Sequence, residues 1–366
     1  MTPAPRNIGQ PTACGLLNKD LTDMELPSNP SESLISVIIC TYGRATALLD
    51  LLEALNNQTY RSMEILVVDG NEEPSPARTV VEKFANSPQT RSKVTLVRSP
   101  KGLTRQRNVG LEAARGDLIC FLDDDVTFEN DFLARVANFF GRPDMQDVGG
   151  ITGYDLLNYP MAMSMRWYLR WLLGVMPGRD PGSVDHLGRA VPISFLKPWS
   201  GLKTIGWLPG FCMIYRGEAI EGVRFDELLP TYGGEDRDFS MRIRQGYRLM
   251  ICGDLHLKHH YTVEGRDDDV ERLLQCSFGA ARRFAKYAKS IGDYFTISRV
   301  ILADFIIDVL ALIRSPRKIN LAVLRVRFQG LFEGFLSVRA DASARASSLL
   351  NGDIPGRHPA VSSGNE

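Results

Sequence analysis

Between residues 36 and 122 two patterns of hydrophobic spacing alternate along the chain. Ser36-Val-Ile-Ile-Cys-Thr41 is a short β-branched run of the kind found in strands buried on both faces. Leu48, Leu49, Leu51, Leu52 and Leu55 then recur at helical spacing. The cycle repeats with a strand at 64–69, a helix near 76–86, a strand at 94–97, a helix over 103–115 and a strand at 117–122. Such alternation predicts an α/β fold, a mostly parallel sheet flanked by helices. Ligands of these sheets bind beyond the carboxyl ends of the strands, which singles out Thr41, Tyr42, Asp69 and Asp123 to Asp125.

The second half is less regular. Residues 154–209 carry all four tryptophans and a helix-like stretch from Met161 to Leu173. A helix is expected over 235–245, a strand over 247–252 and a long helical segment over 269–289. Residues 1–34 and 341–366 are polar, Ser-, Gly- and Pro-containing stretches that read as a flexible arm and a disordered tail. That leaves a main body between the arm and a helical extension at 263–340.

Composition narrows the class. A chain of 366 residues that is 44% hydrophobic buries a core of ordinary size. Lys+Arg and Asp+Glu both number 43, so no net basic field recruits nucleic acid. The six cysteines form no CxxC pair, and residues 1–34 hold no apolar leader segment. Both features suit a reducing, cytoplasmic setting.

Four stretches carry candidate chemistry. Three carboxylates at Asp123, Asp124 and Asp125 repel one another at the end of an apolar strand. A divalent cation such as Mg²⁺ or Mn²⁺ would relieve that repulsion and could bind a departing diphosphate. The plainer alternative is a polar loop capping the next helix. Gly233-Gly-Glu-Asp-Arg-Asp-Phe239 opens a helix, where Glu235 and Asp236 either complement the helix dipole or supply a general base. Strand alternation puts Leu255, Leu257 and His259 on one face and His256 and His260 on the other. His259 then competes between metal ligation and an ordinary hydrogen bond. The basic stretch from Lys101 to Gly110, with Arg107, lies between two strand ends and suits phosphates or a solvated helix start.

In order, Ser36-Val-Ile-Ile-Cys-Thr-Tyr, Val67-Val-Asp69, Arg107-Asn-Val-Gly-Leu, Phe121-Leu-Asp-Asp-Asp and Gly234-Glu-Asp resemble glycosyltransferase family 2 over residues 35–262. The resemblance implies a GT-A fold, Rossmann-like, with 35–126 as the nucleotide-binding half and 127–262 as the acceptor half. It implies an inverting, metal-dependent, hexosyltransferase-like enzyme that moves a sugar from a nucleotide donor to a hydroxyl. Thr41 and Asp69 would then meet base and ribose, and Arg107 the donor. Asp123 and Asp125, with Asp124 between them, form the DxD motif for diphosphate and metal. Asp236 would be the base with Glu235 beside it, His259 a late metal-facing histidine with His260 its rival, and Gly210 part of the cleft. Two positions depart from the family pattern: Gly43 stands where many members have Asn, and Gly70 where many have Asp.

For the acceptor, the expectation is a glycan or a lipid-linked sugar in surface-polysaccharide assembly. Val300 to Ile313 is an apolar run, too short to span a bilayer, that carries Asp304 and Asp308 on one helical face. Arg314, Arg317, Lys318, Arg325 and Arg327 follow it. That run and 161–173 either meet the inner face of the cell membrane or pack on the core. A non-catalytic nucleotide-sugar-binding partner is the alternative from another functional class.

Overall fold

The computed structural model describes residues 33–261, 268–314 and 321–350. Nearly all of the expected arm, the end of the expected tail from 351, and Arg317 and Lys318 lie outside the described residues. In chain order the elements begin β1 (Ile35–Thr41), α1 (Ala45–Asn56), β2 (Met63–Asp69), α2 (Pro76–Ala85), β3 (Lys93–Arg98), α3 (Leu103–Ala113) and β4 (Leu118–Asp123). There follow β5 (Val126–Phe128), α4 (Phe132–Gly141), β6 (Val148–Asp155), α5 (Met165–Leu172), β7 (Leu202–Ile205) and β8 (Cys212–Arg216). The chain continues with α6 (Gly217–Ile220), α7 (Glu235–Ile243), β9 (Arg248–His259), α8 (Asp269–Tyr287), α9 (Ile291–Arg314) and α10 (Leu321–Leu350).

One sheet runs β3-β2-β1-β4-β8-β6-β9-β5, with β7 also paired to β9. Its first four strands are parallel, as the strand–helix alternation requires; β8 then pairs antiparallel with β4. Alternating side chains of β1 serve both faces of the sheet. Ile35, Val37 and Ile39 pack with α1, α2 and α4, whereas Ile38 joins the cluster containing Phe121, Phe239 and Ile243. Parallel register sets Thr41 beside Asp69 and Cys40 beside Asp123, so three strand ends finish at one level.

The C-terminal helices extend this body. Asp268 caps α8 by accepting from the N–H groups of Val270 and Glu271. The Arg282 guanidinium of α8 grips both oxygens of Asp226 at 2.9 Å and also donates to Ser337 Oγ of α10 at 2.9 Å. α9 is longer than its most apolar stretch, and α10 runs to Leu350, ten residues into the segment expected to be a tail. The short strands β5 to β8 escaped the sequence reading. Three to eight residues of mixed polarity carry too little periodicity to declare themselves.

Candidate active site

The strand ends and the start of α7 enclose a cleft of about 310 Å³ lined by Thr41, Tyr42, Arg44, Lys101, Arg107, Asp123, Asp124, Gly210, Glu235 and His259, among others. A larger cavity of about 450 Å³ lies among His186, Met241, Arg244 and Lys289 and contains none of the residues singled out above, so the chemistry belongs to the smaller one.

On the β1 side, Thr41 Oγ1 donates to Asp124 Oδ2 at 2.9 Å, and Arg44 pairs with Asp124 at 2.9 Å and with Asp125 at 3.5 Å. Burial nevertheless pushes the Asp124 carboxyl up to about 6, with Arg44 and Thr41 working against it. Sequence reasoning gave Arg44 no role. Only the fold brings a residue of the β1–α1 turn across to a motif 80 positions away.

Asp123 and Asp125 sit on either side of this contact, with His259 from the end of β9. One ligand atom from each of the three lies within 4.8 Å of the others. His259 Nε2 is 3.1 Å from Asp125 Oδ1 and 4.0 Å from Asp123 Oδ2. The imidazole is buried, in tilted contact with the rings of Phe211 at 4.8 Å and Tyr261 at 4.2 Å, and neither ring nitrogen has a hydrogen-bond partner among the described residues. A buried imidazole without hydrogen bonds is costly, and two hard carboxylate oxygens beside a nitrogen make a donor set suited to a divalent cation. The group fits. His260 is exposed on the opposite face, where its Nε2 meets Thr127 Oγ1 at 2.8 Å, so β9 aims only His259 at the carboxylates.

Arg107 is buried at the centre. It donates to Glu235 Oε1 at 3.0 Å and to the Gly210 carbonyl at 2.9 Å, with Asp123 3.7 Å away. Burial acts to lower its pKa, but Glu235 and Asp123 outweigh that and keep the guanidinium charged. Burial, reinforced by Asp236, drives the Glu235 carboxyl up, and Arg107 pulls it back. Glu235 is thus committed to Arg107. Asp236 is only half-buried; its Oδ2 accepts from Gly210 N–H at 3.2 Å and its Oδ1 from its neighbour's N–H. It is joined to Gly210 of the cleft lining and does not itself line the cleft.

Asp69, like Asp125 and Asp236, does not line the cleft. Its carboxylate is fully buried and accepts from Ser75 Oγ at 2.6 Å, from the backbone and side chain of Asn71, and from Arg98. Burial alone would raise its pKa, yet these partners bring it below the ordinary carboxylate range.

Both departures from the family pattern have local causes. Gly43 has φ +71°, a left-handed conformation that glycine adopts freely and asparagine tolerates, and its N–H donates to Asn71 Oδ1 at 2.8 Å. At Gly70 a Cβ would come within 3.0–3.1 Å of the Gln106 amide. That amide caps the strand ends by donating to the carbonyls of Thr41 and Val68.

The α7 wall is held from outside the sheet. Gly234 takes φ +75° at the start of α7, and Arg283 of α8 donates to the Gly233 carbonyl. A Cβ on Gly279 of α8 would sit 2.1 Å from that same carbonyl oxygen, so the helix approaches backbone to backbone. Nothing in the sequence around 279–283 announces this contact.

Residues 36–195 match the family described as Glycosyl transferase family 2, a span that includes Asp123 to Asp125 and stops before Asp236 and His259. The chain is 29% identical over 247 residues to the amylovoran biosynthesis glycosyltransferase AmsB of Erwinia amylovora, covering 66% of this chain and 75% of that one. It is 35% identical over 108 residues to the putative glycosyltransferase EpsH of Bacillus subtilis, covering 29% of this chain and 30% of that one. A mannosyltransferase from Pyrobaculum calidifontis, solved in complex with GDP-Man and Mn²⁺, superposes with a TM-score of 0.50 at 18% identity, covering 90% of this chain and 83% of that one. That likeness shows the GT-A type of fold.

Proposed function

Because the chain belongs to glycosyltransferase family 2, we propose that it is an inverting, metal-dependent transferase that moves a sugar from a nucleotide donor to the hydroxyl of a glycan or lipid-linked acceptor. Residues 35–262 form the catalytic unit in this reading, with the donor held by the first half. The observation that carries it is His259, a buried imidazole without hydrogen-bond partners set between Asp123 and Asp125. The Mn²⁺ in the Pyrobaculum enzyme supports a divalent ion at these residues, and amylovoran biosynthesis by the Erwinia relative supports an acceptor in surface-polysaccharide assembly.

Asp123, Asp125 and His259 would hold the ion, which supplies charge stabilisation to the leaving diphosphate. The chain's own residues do the rest. Thr41 and Arg44 orient Asp124 at the donor side. Arg107 keeps a positive charge beside the diphosphate position while fixing Glu235 and the Gly210 carbonyl. Asp236, which pairs with no cation among the described residues, takes the acceptor hydroxyl's proton as its oxygen attacks the anomeric carbon. The bond from that carbon to the diphosphate oxygen breaks on the opposite face. One base, with no second carboxylate placed as nucleophile among the described residues, supports a single displacement and hence inversion. A lipid-linked acceptor would be met at the inner face of the cell membrane.

The test is release of nucleoside diphosphate across a donor panel with Mn²⁺ or Mg²⁺. It is run on wild type and Asp236→Asn, with the product's anomeric configuration read by NMR. Turnover of one donor that stops with chelator, falls on the order of 10²–10⁴-fold in the variant and inverts the anomer is the expected result. Binding of every donor with turnover of none, even with membrane extract as acceptor source, would favour a non-catalytic nucleotide-sugar-binding partner.

A further inference from the structure

α9 carries five charged side chains: Asp293, Arg299, Asp304, Asp308 and Arg314. All three carboxylates turn toward the protein. Asp293 bonds His186 at 2.6 Å, Asp304 pairs with Arg170 of α5, and Asp308 pairs with Arg166 of α5 and with buried Arg327 of α10. The basic run expected after α9 is therefore split: Arg327 serves the interior, whereas Arg314 and Arg325 are exposed. The acidic residues of this helix are the ones that fasten it to the body.

What remains outside is apolar. Ile291 (89% exposed), Phe295 (74%), Leu302, Phe305, Ile306 and Ile313 (73%) recur at three-, four- and seven-residue spacing opposite the buried Ile297, Val300 and Ile307. The only exposed charges on the helix are Arg299 and Arg314. Tyr168 and Leu172, exposed on α5, flank the pairs that join α5 to α9. A helix apolar on both sides is normally buried, and a continuous exposed apolar face marks an interaction surface. No described helix is long and apolar enough to cross a membrane. An apolar stripe about 36 Å long, whose exposed charges are both arginines, matches the interfacial zone of an anionic leaflet, where the rings enter the acyl boundary and the guanidiniums meet phosphates.

We infer that the outward face of α9, with the exposed side of α5, docks this protein in the plane of an anionic bilayer. The inference deepens the reading above and rests on it for the acceptor's membrane location; the docking itself is measured without turnover.

The experiment is flotation of the full chain with phosphatidylcholine vesicles, with and without phosphatidylglycerol. Wild type is expected to float with the anionic vesicles only. The double variant Phe295→Ser/Ile306→Ser should lose binding on the order of a hundredfold. Arg314→Gln should lose about fivefold on anionic vesicles alone. Both should keep the wild-type melting temperature and donor turnover in lipid-free buffer. Wild-type protein that stays unbound on anionic vesicles overturns the inference. So does a lipid-free dimer that the double variant converts to monomer, since that assigns the face to a second copy. Flotation without turnover of any donor would sink the transferase reading and leave the docking surface standing.

Discussion

The two walls of the cleft are built by different means. The wall proposed for the donor comes from the ends of β1 and β4, adjacent strands in parallel register, so that Thr41 and Asp123 are placed by the same hydrogen bonds that make the sheet. The Asp236 wall is the first turn of α7, and much of what holds it arrives from α8 some 45 residues later. Gly279 lies against Gly233, Arg283 bonds the Gly233 carbonyl, and Lys286 and Tyr287 both reach buried Asp238 at 2.7 Å. A wall made of sheet resists local change because its strands are shared with the whole core. A wall pinned by a few non-local contacts can be moved by one substitution far from the chemistry.

The sharpest probe of this contrast is the donor wall itself. Asp125→Asn is expected to cut diphosphate release on the order of a thousandfold, with an unchanged melting temperature and a raised Mn²⁺ requirement. Loss of activity with an unaltered metal titration would remove Asp125 from the ion's shell. Next in size is Gly279→Val, whose branched side chain has no space above Gly233. It should destabilise by about 3 kcal/mol and lower kcat while leaving the KM for the donor in place. A variant that melts early but keeps full kcat would show that α8 supports the body and not the base.

Acid titration separates the walls more gently. Burial alone would raise the Asp238 carboxyl, but Arg242, Lys286 and Tyr287 hold it below the ordinary range. Its folded pKa is therefore lower than its unfolded one. The stabilisation is present above the unfolded value, near pH 4, and is lost as pH falls through the folded value. Asp238→Asn should lower stability at neutral pH and flatten the acid limb of the unfolding curve. An acid limb as steep as in wild type would show that other carboxylates carry it. The smallest effect belongs to the donor wall's turn. Gly43→Ala should cost about 1 kcal/mol for its left-handed backbone and Gly43→Asn a few tenths, read by thermal melts; equal costs would mean the side chain, not φ, matters there.

The strand–helix alternation, the ordered family motifs and the facing of His259 away from His260 were all legible in the sequence. Each depends on local periodicity or on residues a few positions apart, and the backbone converts such spacing directly into a face or a strand end. Tertiary structure alone decided that Arg44 neutralises Asp124, that Asp69 is spent on Ser75, Asn71 and Arg98, and that α8 braces the start of α7. It also decided which side of α9 faces out, because Asp304 and Asp308 could find their arginines only once α5 and α10 lay beside that helix. Such pairings join residues tens of positions apart through packing and desolvation, and no one-dimensional period records them.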